Sequence, residues 1–167
     1  MNETVIINME NLSAEEREQF MKLVEKGNKK KNQAWEPKDR EKYYYVRSDG
    51  EVLHGYYVKD CSFDYNIYSI GNCFRTVVEA KFAAEKIKIT TELKRFAEEN
   101  NDEIDWNNYS QIKCFLYCNT KANTIEIDHN NRNKNNSIYF SSKEIAKKAI
   151  ETIGEERLKK YYFEVEK

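Results

Sequence analysis

The sequence contains one proline, Pro37, and five glycines in 167 residues, too few for a long glycine-rich linker or a glycine-rich phosphate loop. Histidine is almost as scarce: His54 and His129 are the only two, and neither stands at a ligand-like spacing. Of the four cysteines, Cys61, Cys73, Cys114 and Cys118, the last pair shares a strand face. At strand rise they lie about 13 Å apart, too far to hold one ion. The acids Asp102, Glu103 and Asp105 lack the glycine and ligand order of a calcium loop. No Ser-His-Asp order and no H-E-x-x-H is present. The expectation is therefore a non-enzyme with no metal and no cofactor. Charge of one sign is also missing, because 28 basic residues meet 29 acidic ones for a net −1. No overall field draws such a chain to nucleic acid or to an anionic membrane. No run of eighteen apolar residues occurs, and the start, MNETVIINMENLSAEE, has neither a basic nor a long apolar leader region. A cytoplasmic protein with reduced thiols is the reading.

What is present is helix signal, tyrosine and charge. The longest helical pattern runs from Phe74 to Asn101, with a capping box from Thr76 to Glu79. At 100° per residue, Ala80, Ala83, Ala84 and Ile87 fall on one side, and Phe82, Ile89, Leu93 and Phe96 fall nearly opposite. Between them runs the alternating stripe Lys81, Glu85, Lys88, Glu92, Arg95, Glu99, whose members pair at three- and four-residue spacing. Small residues permit close approach to a sheet, and the bulky side requires a second partner. Upstream, Ser13 and Glu16 form another capping box, opening a helix that ends near Lys26–Gly27 with Phe20, Leu23 and Val24 as its apolar stripe. A charged linker with Lys29–Lys31 and Trp35 follows it.

KYYYVRSDGEVLHGYYV carries Asp49-Gly50 between β-prone runs, a strong hairpin signal. A two-residue turn there pairs Val46 with Leu53 and Tyr45 with His54, and places Tyr43, Tyr45, Arg47, Val52, His54 and Tyr56 on one face. YSIGNCF then reads as a third strand. Further on, IKCFLYC and TIEIDHN read as strands joined by NTKAN, and SIYF as another. Ser141 to Glu144 makes a third capping box, before a helix stopped at Gly154. The tail adds a turn of helix and then an extended YYFEV.

Aligning FRTVVEAKFAAEKI (74–87) with FSSKEIAKKAIETI (140–153) puts Phe, Ala, Lys, Ala, Glu and Ile in register. The plan this implies is an α+β fold of two similar β-β-β-α units with an N-terminal helix: 1–42 helix and linker, 43–101 the first unit, 102–167 the second. The two units are expected to pack as one domain, since each alone is small.

The tyrosine-rich hairpin face is the candidate contact surface, through Tyr43, Tyr45, Arg47, His54 and Tyr56. Tyrosine buries much area with few rotatable bonds and keeps a polar tip. The alternative is that the N-terminal helix or the second unit covers this face. From Gly71 to Ala83 the order G-x-C-F-x-T-x-x-E-A-x-x-A resembles the end of the plant ethylene-response-type DNA-binding domain. That resemblance implies a three-stranded sheet on one helix, with the outer hairpin face as the nucleic-acid surface. Over most of its length the chain resembles a family of small proteins of phages and prophages of low-GC Gram-positive bacteria. The residues that carry this are NLSAEEREQF, W-x-P followed by YYY, IGNCFRTVVEAKFAAEKIK with ELKRFAEENN, and IYFSSKEIAKKAIETIGEERLKKYYFEV. The resemblance implies a phage or prophage setting and supplies no catalytic residues. The expected function is non-catalytic protein binding, by an accessory protein that occupies a host protein, one used in defence being the specific version. Nucleic-acid binding through the hairpin face and self-assembly are the alternatives.

Overall fold

A computed structural model of the chain describes residues 12–13, 15–17, 19–20 and 35–165. Met1–Glu36 and Pro37–Lys167 form two compact units. In the first, residues 15–17 and 19–20 are helical. Its capping box is formed: Ser13 N donates to Glu16 Oε2 at 2.9 Å, and Glu16 N donates to Ser13 Oγ at 3.3 Å. Leu23, Val24, the end of that helix and Lys29–Lys31 lie outside the described residues.

The second unit begins with the hairpin β1 (Lys42–Val46) and β2 (Val52–Tyr56). Its turn is one residue longer than the Asp49-Gly50 signal suggests. Arg47 N donates to Glu51 O and Gly50 N to Arg47 O, at 2.8 and 2.9 Å, so Ser48, Asp49 and Gly50 form the loop. Gly50 takes φ +86°, the left-handed position that closes a three-residue hairpin loop with a bulge. The pairing is therefore Val46 with Val52, Tyr45 with Leu53, Tyr44 with His54 and Tyr43 with Gly55. A one-residue slip exchanges the faces of one strand relative to the other. Tyr43 and Tyr45 share a side with Leu53 and Gly55, while His54 and Tyr56 stand on the opposite side with Tyr44.

YSIGNCF is not a strand. Ser62–Ser69 forms helix α1, and only Phe74 pairs with β1, through a single antiparallel bridge to Tyr44. Tertiary anchoring decides this local choice. Asp64, in the first turn of α1, is buried, accepts from Tyr43 Oη at 2.6 Å and accepts from Val58 N at 2.9 Å. Phe63 meets Tyr45 edge-on at 5.8 Å and Tyr68 meets Tyr57 at 6.5 Å. The hairpin thus has α1 on its Tyr43–Tyr45 side, the side that the DNA-binding resemblance leaves open.

Helix α2 (Val77–Asn100) follows, with both halves of the Thr76–Glu79 capping box formed. Its buried residues are Ala80, Ala84, Ile89, Leu93 and Ala97. The alanines approach the hairpin in the first half of the helix. Ile89 and Leu93 point the other way in the second half, into a core with Cys114, Leu116, Phe140, Ala146, Ala149, Ile153 and Leu158. The bulky side therefore has its partner within the same compact unit. Each such fully buried side chain contributes about 1.5–3 kcal/mol. Ile87, placed with the alanine side by spacing, is 58% exposed instead.

The core's other wall is a sheet of order β4-β3-β5, from β3 (Lys113–Asn119), β4 (Thr124–Asn130) and β5 (Tyr139–Phe140), backed by α3 (Lys143–Ile153). The cap of α3 is Ser142 rather than Ser141, accepting from Ile145 N at 3.2 Å. Because the third helical residue is Ile145, no acid completes a box. Gly154 at φ +97° stops the helix. Beyond it, the expected turn of helix, Glu155–Arg157, leads into a π turn, Leu158–Tyr162, which takes in the first two residues of the YYFEV expected to be extended, while Phe163–Val165 lie outside helix and strand. Leu158 is fully buried and draws this segment inward.

The two aligned segments, 74–87 and 140–153, have similar surroundings. Phe74 bridges β1 as Phe140 bridges β3, in each case on the side away from the hairpin partner strand. Each phenylalanine stands two residues before the helix cap, Thr76 or Ser142. The first segment's surroundings differ by α1 and by a third strand reduced to one bridge.

Candidate functional site

The five residues expected to form a contact surface do not come together. Tyr43 is 1% exposed, its ring lying over Gly55 and its hydroxyl spent on Asp64. Burial, then the bond to Asp64, pushes its phenol well above the usual tyrosine range. Tyr45 is half-buried beside it. Arg47 sits at the turn, bonded to Asp49 and, at 2.7 Å, to Glu51. The hydrogen bond from Arg47 is the main cause holding Asp49 down at about 2. His54 and Tyr56 are exposed on the other side of the hairpin. Arg47, the one clear reader of phosphate on the hairpin, is already neutralised by two acids.

Cys114, Asp128 and His129 line one pocket of about 400 Å³ beside the start of α3. Cys114 and His129 are direct cross-strand partners. A nucleophilic cysteine needs its thiolate stabilised. Here burial is the first cause that pushes the Cys114 thiol up, Glu144 adding to it against the opposing Lys143. The group is a buried thiol of the core, and the trio has the environment of packing rather than of nucleophilic chemistry. Among the described residues, no cluster of three or more His, Cys, Asp or Glu could hold a metal ion. Among them, no helix is long and apolar enough to cross a membrane.

A concavity lies between the first hairpin, α2 and the C-terminal π turn. A cleft of about 760 Å³ is bounded by the hairpin tip at Gly50, Glu51 and Val52, by α2 from Val78 to Lys88, and by Lys160 and Tyr161 of the π turn. Its apolar floor is Val52, Val78, Phe82 and Tyr161. Val78 is 72% exposed, and the rings of Phe82 and Tyr161 lie 5.3 Å apart. Val78 and Phe82 are spaced i, i+4 and so lie one above the other on α2. A second apolar pocket of about 510 Å³ opens on the other side of the same two residues, among Phe74, Ala83 and the Lys86–Glu164 ion pair.

The charged rim of the cleft is unequally satisfied. Glu85 is bonded to Lys88 at 2.8 Å and Glu51 to Arg47 at 2.7 Å. Glu92, the next acid of the α2 stripe, is taken by Arg157 at 3.0 Å. The stripe is thus only partly self-paired. Lys81 has no carboxylate partner among the described residues, and Lys160 has only the ring of Tyr161, 5.1 Å away. Spacing rules missed this site because it joins residues far apart in sequence. The available signal was Val78, four residues before Phe82, which carries the bulky side of the helix back into its first turn.

No protein-family model, no curated protein and no solved structure matches the chain.

Proposed function

We propose that this chain is a non-catalytic accessory protein that binds another protein, and that its contact surface is the cleft between the hairpin tip, α2 and the π turn. The observation that carries the reading is the solvent-open apolar floor. Val78 stands 72% exposed next to Phe82 and Tyr161, whereas Ile89 and Leu93, further along the same helix, are fully buried. Exposed apolar surface rimmed by polar residues marks sites of protein contact. The phage or prophage resemblance gives the reading its setting: a factor in the host cytoplasm that occupies a host protein, one of defence in the specific version.

A photo-crosslinking residue at Val78, compared with one at the exposed Lys147 of α3, tests it in lysate of a low-GC Gram-positive host. The expected result is one saturable protein adduct from position 78 and none from 147. Unlabelled wild type competes the adduct away and Val78→Glu does not. Identical adducts from both positions would overturn the reading. So would an adduct lost to competing duplex DNA, or sedimentation showing that the partner is a second copy of this chain.

A further inference from the structure

We infer that the occupant of the cleft is an acidic peptide segment of the partner, one that inserts one or two large apolar side chains between Phe82, Val78 and Tyr161 and sets Asp or Glu against Lys81 and Lys160. This rests on the protein-binding reading above and specifies the chemistry of the partner. Charge left over on the cleft wall points to an acidic occupant. Of the cleft's two acids, Glu85 is bonded to Lys88 at 2.8 Å and Glu51 to Arg47 at 2.7 Å, a cation it shares with Asp49, so the three lysines of the lining outnumber its two acids by one. Glu164 beside it is likewise engaged, by Lys86. Among the described residues, Lys88 alone of the three lysines on the cleft wall has a carboxylate partner, so Lys81 and Lys160 face the opening without an ion pair.

These two cations stand on different elements, α2 and the π turn, on either side of an apolar floor. A partner with acids flanking an apolar anchor satisfies both features at once. A basic partner meets like charge, and a purely apolar one leaves both lysines facing a less polar surface. The floor also separates this occupant from nucleic acid. Phosphate binding calls for several convergent bases, whereas here two bases flank Val52, Val78 and Phe82, which have nothing to offer a phosphate. The segment is short. The stretch of α2 from Val78 to Lys88 spans about 15 Å at helical rise, room for about five extended residues.

Selection from a displayed library of linear peptides of about 12 residues tests the inference, using wild type and the Lys81→Glu/Lys160→Glu variant as baits. Both lysines are exposed, so the variant keeps its fold, checked by an unchanged circular dichroism spectrum. Wild type is expected to enrich peptides with Phe, Leu or Trp flanked by Asp or Glu. The variant is expected to enrich the same anchors flanked by Lys or Arg. An individual acidic peptide is expected to bind the variant about ten-fold more weakly, as two exposed charge pairs allow. Enrichment without acidic bias, or bias that does not invert with the bait, overturns the inference. If that happens while position 78 still crosslinks a competable protein, the protein-binding reading stands and only the acidic occupant falls. If the crosslink fails as well, both fall.

Discussion

The bond between Tyr43 and Asp64 is the point at which the hairpin is fastened to α1, and removing the tyrosine hydroxyl measures that attachment. Tyr43→Phe keeps the ring and its packing over Gly55, so cavity and transfer costs stay small. What is lost is an O–H···O⁻ bond of 2.6 Å at a carboxylate only 6% exposed. Hydrogen bonds to charged groups contribute roughly 1.5–3 kcal/mol, so the expected loss is about 2 kcal/mol. Asp64→Ala also strands Val58 N, which donates to the second carboxylate oxygen at 2.9 Å, and is expected to cost about 3–4 kcal/mol. The double variant should fall short of the sum by about 1.5–2 kcal/mol, because the hydroxyl has no partner left to lose. Urea denaturation followed by circular dichroism reads this as a midpoint lowered by about 1 M for Tyr43→Phe. A loss below about 0.5 kcal/mol, with the two variants adding independently, would refute the reasoning. It would mean that α1 is not held through Asp64.

Three further outcomes follow from the same packing. Leu93→Ala, at a fully buried position shared by α2 and the second sheet, is expected to cost about 2–5 kcal/mol. It should lower a single transition seen alike by Trp106 fluorescence and circular dichroism, and two separated transitions would contradict one cooperative unit. Lys113 is fully buried, donates to Asn108 O and Gln111 O at 2.7 and 3.1 Å, and lies 5.4 Å from the Trp106 ring. Lys113→Met should release that loop, costing about 2 kcal/mol and making Trp106 more accessible to acrylamide; unchanged quenching would count against it. Alkali should also destabilise the protein. Burial first, then Asp64 and Glu41, pushes the Cys73 thiol up to about 11, and Tyr43 is raised further. The unfolded chain then releases both protons first, so the contribution of these two groups is level below about pH 9 and falls as pH rises through the range between unfolded and folded values. Cys73→Ser should lessen the fall that begins near pH 9, leaving the share of Cys114, and Tyr43→Phe should lessen the fall that begins near pH 10, leaving the shares of Tyr117 and Tyr162.

The local signals were sufficient wherever one element's own residues determine its state. Thr76 and Glu79 mark the start of α2, Asn101 caps its end, and the apolar run 114–118 and the alternation in 124–130 place β3 and β4. Placing Phe74 on Phe140 even anticipates the corrected cap of α3, since it puts Thr76 on Ser142 rather than on Ser141. Elements whose state depends on distant partners were not legible. Ser62–Ser69 is helical with a buried aspartate that only Tyr43 and Val58 N make acceptable, and no spacing rule within 62–69 reveals those partners. The hairpin register turned on one extra loop residue, and that alone separated Tyr43 from His54 and Tyr56. The helix at 77–100 is two-sided as its pattern indicates, but its sides act in succession along its length. The bulky side closes a core through Ile89 and Leu93, and the surface left open lies at the helix start, around Val78 and Phe82.

That open surface is tested most directly by hydrogen–deuterium exchange of the protein alone and with the partner crosslinked from position 78. Added protection is expected over 77–88 and 158–162, and none over the exposed face of α1 at 62–69. Protection centred on α1 and the hairpin strands, with 77–88 unchanged, would contradict it and return the contact surface to the tyrosines.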